Sequence, residues 1–253
     1  MRTEVAGLTH VGMRRSHNED NLLLLPEQGL FCVADGMGGH SNGEIAARIA
    51  VDEVGEFYRH TAQDPDATWP FKMDRSRGYD ENRLVASIKL ANQRILERAA
   101  ADHRLERMGT TVAALSLAGA HAYVAHVGDS RVYSLREGVL RQLTDDHSLL
   151  NDVMRARKMT QEEIDAFPHK NVIVRALGMK DAVQVDVARH EPQDGELYLL
   201  CSDGLTGMLS DAQIRETLVR TPDLRQACER LVEQANAAGG TDNITVVLVR
   251  CRK

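Results

Sequence analysis

Residues Val33 to Glu44 read VADGMGGHSNGE, and the fold turns on how this stretch is understood. It follows the apolar run Leu30-Phe31-Cys32-Val33, has glycines at 36, 38, 39 and 43, and carries Asp35 at its mouth. Beyond it, apolar residues at 45, 46, 49, 50 and 54 fall on one helical face, which predicts a helix over Gly43 to Tyr58. A strand therefore runs through a glycine-rich turn into a helix. Such a junction serves as a plain turn, a phosphate cradle or a metal site.

Upstream, Asn21-Leu25 and Leu30-Val33 read as two strands joined by a short turn at Pro26-Gly29. Downstream, 61–78 contains Asp-Pro, Trp-Pro and Arg-Gly pairs and reads as an irregular connection. Leu84, Ile88, Ala91, Ile95 and Ala99 line one face of a helix over 81–101. Strands are expected at 110–118, 120–127, 131–135 and 139–143, the last two joined at Glu137-Gly138 as a hairpin. The charged stretch 144–178 breaks the strand rhythm, with short helices at 146–157 and 161–167, and reads as an excursion from a sheet. Strands resume at 184–189 and 196–201. Helices follow at 211–220, after the cap candidate Ser210, and at 224–237, before a last strand at 243–251. Helices and strands each fall into two blocks, which favours an α+β arrangement of mostly antiparallel sheets over strict βαβ alternation.

The acids mark the strand ends. Asp35 follows one apolar run, Asp129 another, and Asp203 a third, while Asp242 precedes the last strand and Glu19-Asp20 precede the first predicted one. An Asp-Gly pair after a strand is ordinarily a turn. Five such positions in one chain suggest carboxylates converging at a sheet edge. Mutual repulsion and burial make that arrangement costly, and a divalent cation relieves it. An oxygen-only ligand set points to Mg²⁺ or Mn²⁺ rather than zinc. The phosphate-cradle reading fares worse. Gly36-x-Gly38-x-x-Ser41 lacks the third glycine of a dinucleotide loop, and no G-x-x-x-x-G-K-[ST] occurs.

Bulk properties narrow the field. The 253 residues carry a net charge of −6, without the basic stripe of a nucleic-acid binder. The N-terminus shows no signal-peptide pattern and no apolar run is long enough to span a membrane. Cys32, Cys201, Cys228 and Cys251 form no C-x-x-C pair and read as buried, reduced thiols of a cytoplasmic protein.

Ordered motifs then make the chain recognisable: Arg15-Ser16-His17-Asn18-Glu19-Asp20, Asp35-Gly36-Met37-Gly38-Gly39-His40, Gly109-Thr110-Thr111, Val127-Gly128-Asp129-Ser130-Arg131, Leu143-Thr144-x-Asp146-His147-Ser148, Arg175-Ala176-Leu177-Gly178, Ser202-Asp203-Gly204-Leu205 and Gly240-Thr241-Asp242-Asn243. Together they resemble the bacterial metal-dependent serine/threonine protein phosphatases of the protein phosphatase 2C family. The resemblance runs from about Gly7 to Val249. It implies an α-β-β-α sandwich of two antiparallel sheets flanked by helices, one catalytic domain over 7–250, and a flap subdomain over 144–178.

The resemblance also implies the chemistry. Two Mn²⁺ or Mg²⁺ ions share a hydroxide that attacks phosphorus, with no protein nucleophile. Asp35 would bridge the ions and the Gly36 carbonyl would help bind one. Asp203 and Asp242 would hold the other, Glu19 would contact a metal directly or through water, and Asp20 would orient metal-bound waters. Asp129, with Asp203, would hold a third, weaker ion. Arg15 would grip the substrate phosphate; Arg14 adjoins it, but spacing to the acid pair favours Arg15. Some relatives carry a general-acid histidine directly after the Asp-Gly. This chain has Met37 there, and the role does not transfer to His40. His126 and His147 read as hydrogen-bonded structural residues, and Ser130-Arg131 as support for Asp129.

Implied partners are phosphorylated proteins and a cognate serine/threonine kinase, with no nucleic acid and no membrane, for a protein acting as a monomer. Two alternatives remain: a catalytically weak phosphoprotein-binding regulator and a small phosphate-ester hydrolase. Cysteine phosphatases are excluded, because Gly38, Gly207 and Gln234 stand where C-x-x-x-x-x-R requires arginine and Cys251 lies too near the end. H-R-D, D-F-G and G-x-S-x-G are likewise missing.

Overall fold

A computed structural model describes residues 2–38, 42–64, 66–168 and 172–252 of the chain. Its strands are β1 (Arg2–His10), β2 (Asp20–Leu25), β3 (Leu30–Met37), β4 (Gly109–Thr110), β5 (Val112–Ala118), β6 (His121–Val127), β7 (Arg131–Arg136), β8 (Val139–Gln142), β9 (Asp186–His190), β10 (Leu197–Cys201) and β11 (Ile244–Arg252). The helices are α1 (Asn42–Gln63), α2 (Tyr79–Ala101), α3 (Leu149–Ala156), α4 (Gln161–Asp165), α5 (Asp203–Thr206), α6 (Asp211–Arg220) and α7 (Leu224–Ala237).

The strands form two antiparallel sheets, ordered β1-β11-β10-β7-β8 and β2-β3-β5-β6-β9, with β4 paired to the end of β3. Three apolar layers stack through the molecule. Phe31, Val33, Leu115 and Val124 of one sheet meet Val132, Tyr198, Leu200, Val247 and Val249 of the other. The alternate residues Leu30, Cys32 and Ala34 face α1 and α2, among Ala46, Ala50, Leu84 and Ile88. On the far side Leu199, Val246 and Leu248 pack against Ile214, Leu218, Leu231 and Ala235 of α6 and α7. Central strands buried on both faces read as unbroken apolar runs, which is why β3, β10 and β11 stand out in the sequence. The result is the expected α-β-β-α sandwich.

The helix ends follow from local chemistry. Ser210 and Gln213 form a capping box at α6, and Thr160 and Glu163 form another at α4. Asp223 caps α7. The spans of α6 and α7 agree with the sequence reading.

Besides α1, which runs on to Gln63 past its expected end at Tyr58, four elements depart from it. The first strand is β1, not the Asn21-Leu25 segment, and it pairs along its whole length with β11, from Arg2↔Arg252 to His10↔Ile244. It lies at a sheet edge with about half its residues exposed, so it lacks a strong apolar run. Next, β3 continues through Asp35-Gly36 to Met37, because Gly109–Thr110 supplies a partner there. The helix expected from Asp146 starts at Leu149, since Ser148 caps it and Asp146 is drawn to Arg131. Finally, Asp203-Gly204 is not a bare turn but the start of the one-turn helix α5.

Candidate active site

The pairing register brings the start of β2, the ends of β3, β6 and β10, and the starts of β5, β7 and β11 to one end of the sandwich. Glu19, Asp20, Asp35, Asp129, Asp203 and Asp242 all lie at these termini. One end of the fold therefore collects every acid that the sequence singled out.

Asp20 and Asp35 are direct partners across β2 and β3. Asp20 is buried, and its Oδ2 accepts hydrogen bonds from Ser202 Oγ and Thr245 Oγ1, each at 2.7 Å. Its Oδ1 is buried with no partner among the described residues. Burial pushes its pKa up to about 7, the two hydroxyls pull the other way, and the charges of Asp203 and Asp242 add to the rise. Asp35 lies well above the usual carboxylate range through burial and then through repulsion from Asp20, Asp203, Asp129 and Asp242. Its backbone is pinned: the N–H donates to Thr111 Oγ1 at 3.0 Å, and the carbonyl accepts from Thr111 N–H at 2.8 Å and Thr110 Oγ1 at 2.9 Å.

Gly36 is required by close packing. A Cβ there would stand 2.2 Å from the Gly43 carbonyl oxygen and 2.5 Å from that of Glu19. The glycine lets the start of α1 lie against the strand end. The Gly43 N–H then hydrogen-bonds the Glu19 carboxylate, against a burial effect that raises the Glu19 pKa. Glu19 is fixed a second time, its N–H donating to Asn243 Oδ1 at 2.8 Å.

Asp203, first residue of α5, is raised by burial and by the Asp242 charge, while the neighbouring Asp35 carboxyl pulls the other way. Asp129 occupies the β6–β7 turn, with Oδ1 buried and unpartnered among the described residues. Burial, then repulsion from Asp203 and Asp146, pushes its pKa up to about 7. Arg15 is half exposed and reaches Asp242 Oδ2 at 2.7 Å. The neighbouring Arg14 is exposed and makes no ion pair among the described residues.

Sequence reasoning gave no role to the residues that hold these acids. Asn243 accepts from Glu19 and donates to the carbonyls of Val11 and His17, each at 2.9 Å, tying the Arg15 loop to β11. Ser202, Thr245 and Thr111 orient Asp20 and Asp35. The available signal was adjacency: Ser202 precedes Asp203 and Asn243 follows Asp242.

Met37 stands opposite Gly109 at the end of β3, where its thioether offers no proton. His40 lies outside the described residues. His126 and His147 stack with ring centroids 4.5 Å apart. With Asp186 they place ligand atoms within 4.8 Å of one another. The guanidinium of Arg175 already fills that position, 3.0 Å from His147 Nε2 and 2.8 Å from Asp186 Oδ1, which argues for a structural ion cluster rather than a metal.

The acid cluster fits a hard divalent cation. All side-chain donors are oxygens, and among the described residues two carboxylate oxygens are buried without partners and only the half-exposed Arg15 is ion-paired to the crowded like charges.

Comparison with known proteins places nearly the whole chain in one family. The family described as protein phosphatase 2C matches residues 9–248. The chain is 37% identical over 249 residues to protein phosphatase PhpP of Streptococcus pneumoniae, covering 97% of this chain and 96% of that one. The crystal structure of the Mycobacterium tuberculosis serine/threonine phosphatase PstP/Ppp superposes with a TM-score of 0.88 at 32% identity, covering both chains completely. The catalytic domain of PstP in complex with two manganese ions gives 0.83 at 32% identity, over 99% of each chain.

Proposed function

The chain belongs to the protein phosphatase 2C family, and we propose on that footing that it hydrolyses phosphoserine and phosphothreonine in proteins with Mn²⁺ or Mg²⁺ as cofactor. The observation that carries this reading is the convergence of six acids, two with orphaned buried oxygens, beside an arginine at one end of the sandwich. Asp35, Asp20, Glu19, Asp203, Asp242 and the Gly36 carbonyl would hold two cations, and Asp129 with Asp203 a third, weaker one.

Bound there, the cations supply Lewis acidity, acidifying water and neutralising phosphate charge. The chain's own residues do the rest. Ser202 and Thr245 fix Asp20 through Oδ2, leaving its buried Oδ1 without a partner among the described residues. Thr111 fixes the Asp35 backbone. Arg15, swung from Asp242, offers a planar fork to two phosphate oxygens and orients the ester. Met37 takes no part in proton transfer.

We assign one catalytic domain to 7–250, with 144–178 as a flap that bears on substrate choice. A cognate serine/threonine kinase is the expected counterpart, since an enzyme that removes such phosphates requires one that adds them. Among the described residues no helix is long and apolar enough to cross a membrane. The four cysteines are free and buried, which suits action as a monomer in the cytoplasm.

The test is turnover of a phosphothreonine peptide by metal-stripped protein with and without added Mn²⁺. Mn²⁺-dependent release of phosphate from the peptide is expected. Release only from p-nitrophenyl phosphate or nucleotides would favour a small-ester hydrolase, and binding without release would favour a phosphoprotein-binding regulator.

A further inference from the structure

His147 grips the residue before Asp129 at two points. Its backbone N–H donates to the Gly128 carbonyl at 2.9 Å, and its Nδ1 accepts the Gly128 N–H at 3.0 Å. An Nδ1 that accepts carries no proton, so the ring hydrogen sits on Nε2 and is donated to Asp186 Oδ2 at 3.1 Å, and the 3.0 Å approach of Arg175 Nη1 to Nε2 is then a contact between two donors, not a hydrogen bond. Arg175 closes the group by donating to Asp186 Oδ1 at 2.8 Å.

These residues sit where the flap meets the sandwich. The two stems of the flap are zipped together by Val174 N–H to the His147 carbonyl at 2.9 Å and by Leu149 N–H to the Val172 carbonyl at 2.8 Å. On the other side of His147, Asp146 takes a forked pair of bonds from Arg131 at 3.0 and 2.7 Å. The stem is therefore rigid on both sides of His147.

Among the described residues the Asp129 carboxylate has no such support beyond a hydrogen bond from its own backbone N–H. Its Oδ1 lies buried without a partner among the described residues, so its direction depends on its neighbours. Ser130 is held by a hydroxyl contact to Thr111 at 2.7 Å. Gly128 has φ +110°, and a Cβ there would lie 2.6 Å from the Thr111 side chain, so only glycine fits. His147 supplies the remaining hold.

We propose that His147 is a positioning residue: its Nδ1 and backbone N–H clamp the Gly128 peptide so that Asp129 faces the acid cluster, and Asp186 and Arg175 tie that clamp to the flap. The inference rests on the assignment of Asp129 to a weak cation site made above.

The substitutions that separate the two ring nitrogens test it. In His147→Asn the amide oxygen lies near the place of Nδ1, which keeps the acceptor for Gly128. In His147→Gln the amide lies near the place of Nε2, which keeps the Asp186 contact and loses the acceptor. Calorimetric titration with Mn²⁺ reads the result. His147→Gln should weaken the weakest resolved site by about tenfold or more, as Asp129→Asn does, while His147→Asn stays within about threefold of the unaltered protein. The tighter sites should be unchanged in all three, which also controls for folding.

A weakest site unchanged in His147→Gln, or weakened as much in His147→Asn, overturns the clamp alone. Mn²⁺ binding unchanged in Asp129→Asn overturns the assignment of Asp129 and the clamp with it. Should His147→Gln not fold, ¹⁵N spectra of the unaltered protein decide. An unprotonated Nδ1 coupled to the Gly128 amide supports the clamp, and a protonated Nδ1 refutes it.

Discussion

Asp20 and Asp35 stand directly opposite one another in the β2–β3 pair, so two carboxylates share one face of a sheet at the narrowest cross-strand spacing. Like charges so placed destabilise a sheet, and burial sharpens the effect. Both effects raise the pKa of these acids, so without a cation the folded cluster holds protons more tightly than free carboxylates do.

That storage gives a pH prediction with a definite sign. Burial and mutual repulsion raise Asp20 and Asp129 to about 7 and raise Asp35 and Asp203 as well. In the unfolded chain such groups titrate near ~3.9. The folded state thus binds more protons, and the cluster's contribution to stability is complete below that value and lost as pH rises through about 7. EDTA-treated protein should show a Tm lower by about 5 °C or more at pH 8 than at pH 5.5. Saturating Mn²⁺ should raise Tm more at pH 8 than at pH 5.5. A metal-free Tm that is flat or rises across that interval contradicts the prediction.

Ser202 and Thr245 should matter for metal binding more than for folding. Both donate to Asp20 Oδ2 and leave Oδ1 for a cation. Ser202→Ala and Thr245→Val should each weaken Mn²⁺ binding by about tenfold, with circular dichroism unchanged. Unaltered calorimetric affinity in both variants would show that Asp20 is oriented by other means.

Arg15 should show opposite effects on metal and on substrate. It engages Asp242 here, and phosphate must draw it away. Arg15→Ala should raise KM for a phosphothreonine peptide by about 30-fold or more while leaving Mn²⁺ affinity unchanged or a few-fold tighter. Arg15→Lys should recover only part of the KM, because a point charge does not replace the fork. Weaker Mn²⁺ binding in Arg15→Ala would mean that the arginine serves the cluster rather than the substrate.

Met37 should be replaceable. A general acid contributes about 10²–10⁴ in rate, so a thioether in that position should contribute nothing of the kind. Met37→Leu should keep kcat within about threefold, with the same pH profile. A large loss confined to one limb of that profile would place a proton-handling group beside Met37.

Strand-end acids were legible because each borders an apolar run, Asp35, Asp129 and Asp203 just after one and Glu19-Asp20 and Asp242 just before one. Ser210 and the Glu137-Gly138 turn were legible because their signals are local. What escaped depended on distant partners. β1 is a half-exposed edge strand whose pairing partner β11 lies at the other end of the chain. The end of β3 needed Gly109–Thr110, about 70 residues downstream, to remain a strand. Ser202, Thr245, Thr111 and Asn243 are residue types that usually serve turns and caps, so their role appears only when the sheets bring them to the acids. The clamp of His147 on Gly128 likewise spans two segments joined by the β7–β8 hairpin.

The most direct measurement is Mn²⁺ titration of Asp35→Asn beside the unaltered protein, followed by turnover of p-nitrophenyl phosphate. Asp35 is repelled by four other acids of the cluster, so a cation-bridging role predicts loss of the tight Mn²⁺ sites and a fall in kcat of about 10³-fold or more. Asp35→Asn protein that binds Mn²⁺ normally, or that retains EDTA-insensitive turnover, would contradict a metal-dependent phosphatase built on this acid cluster.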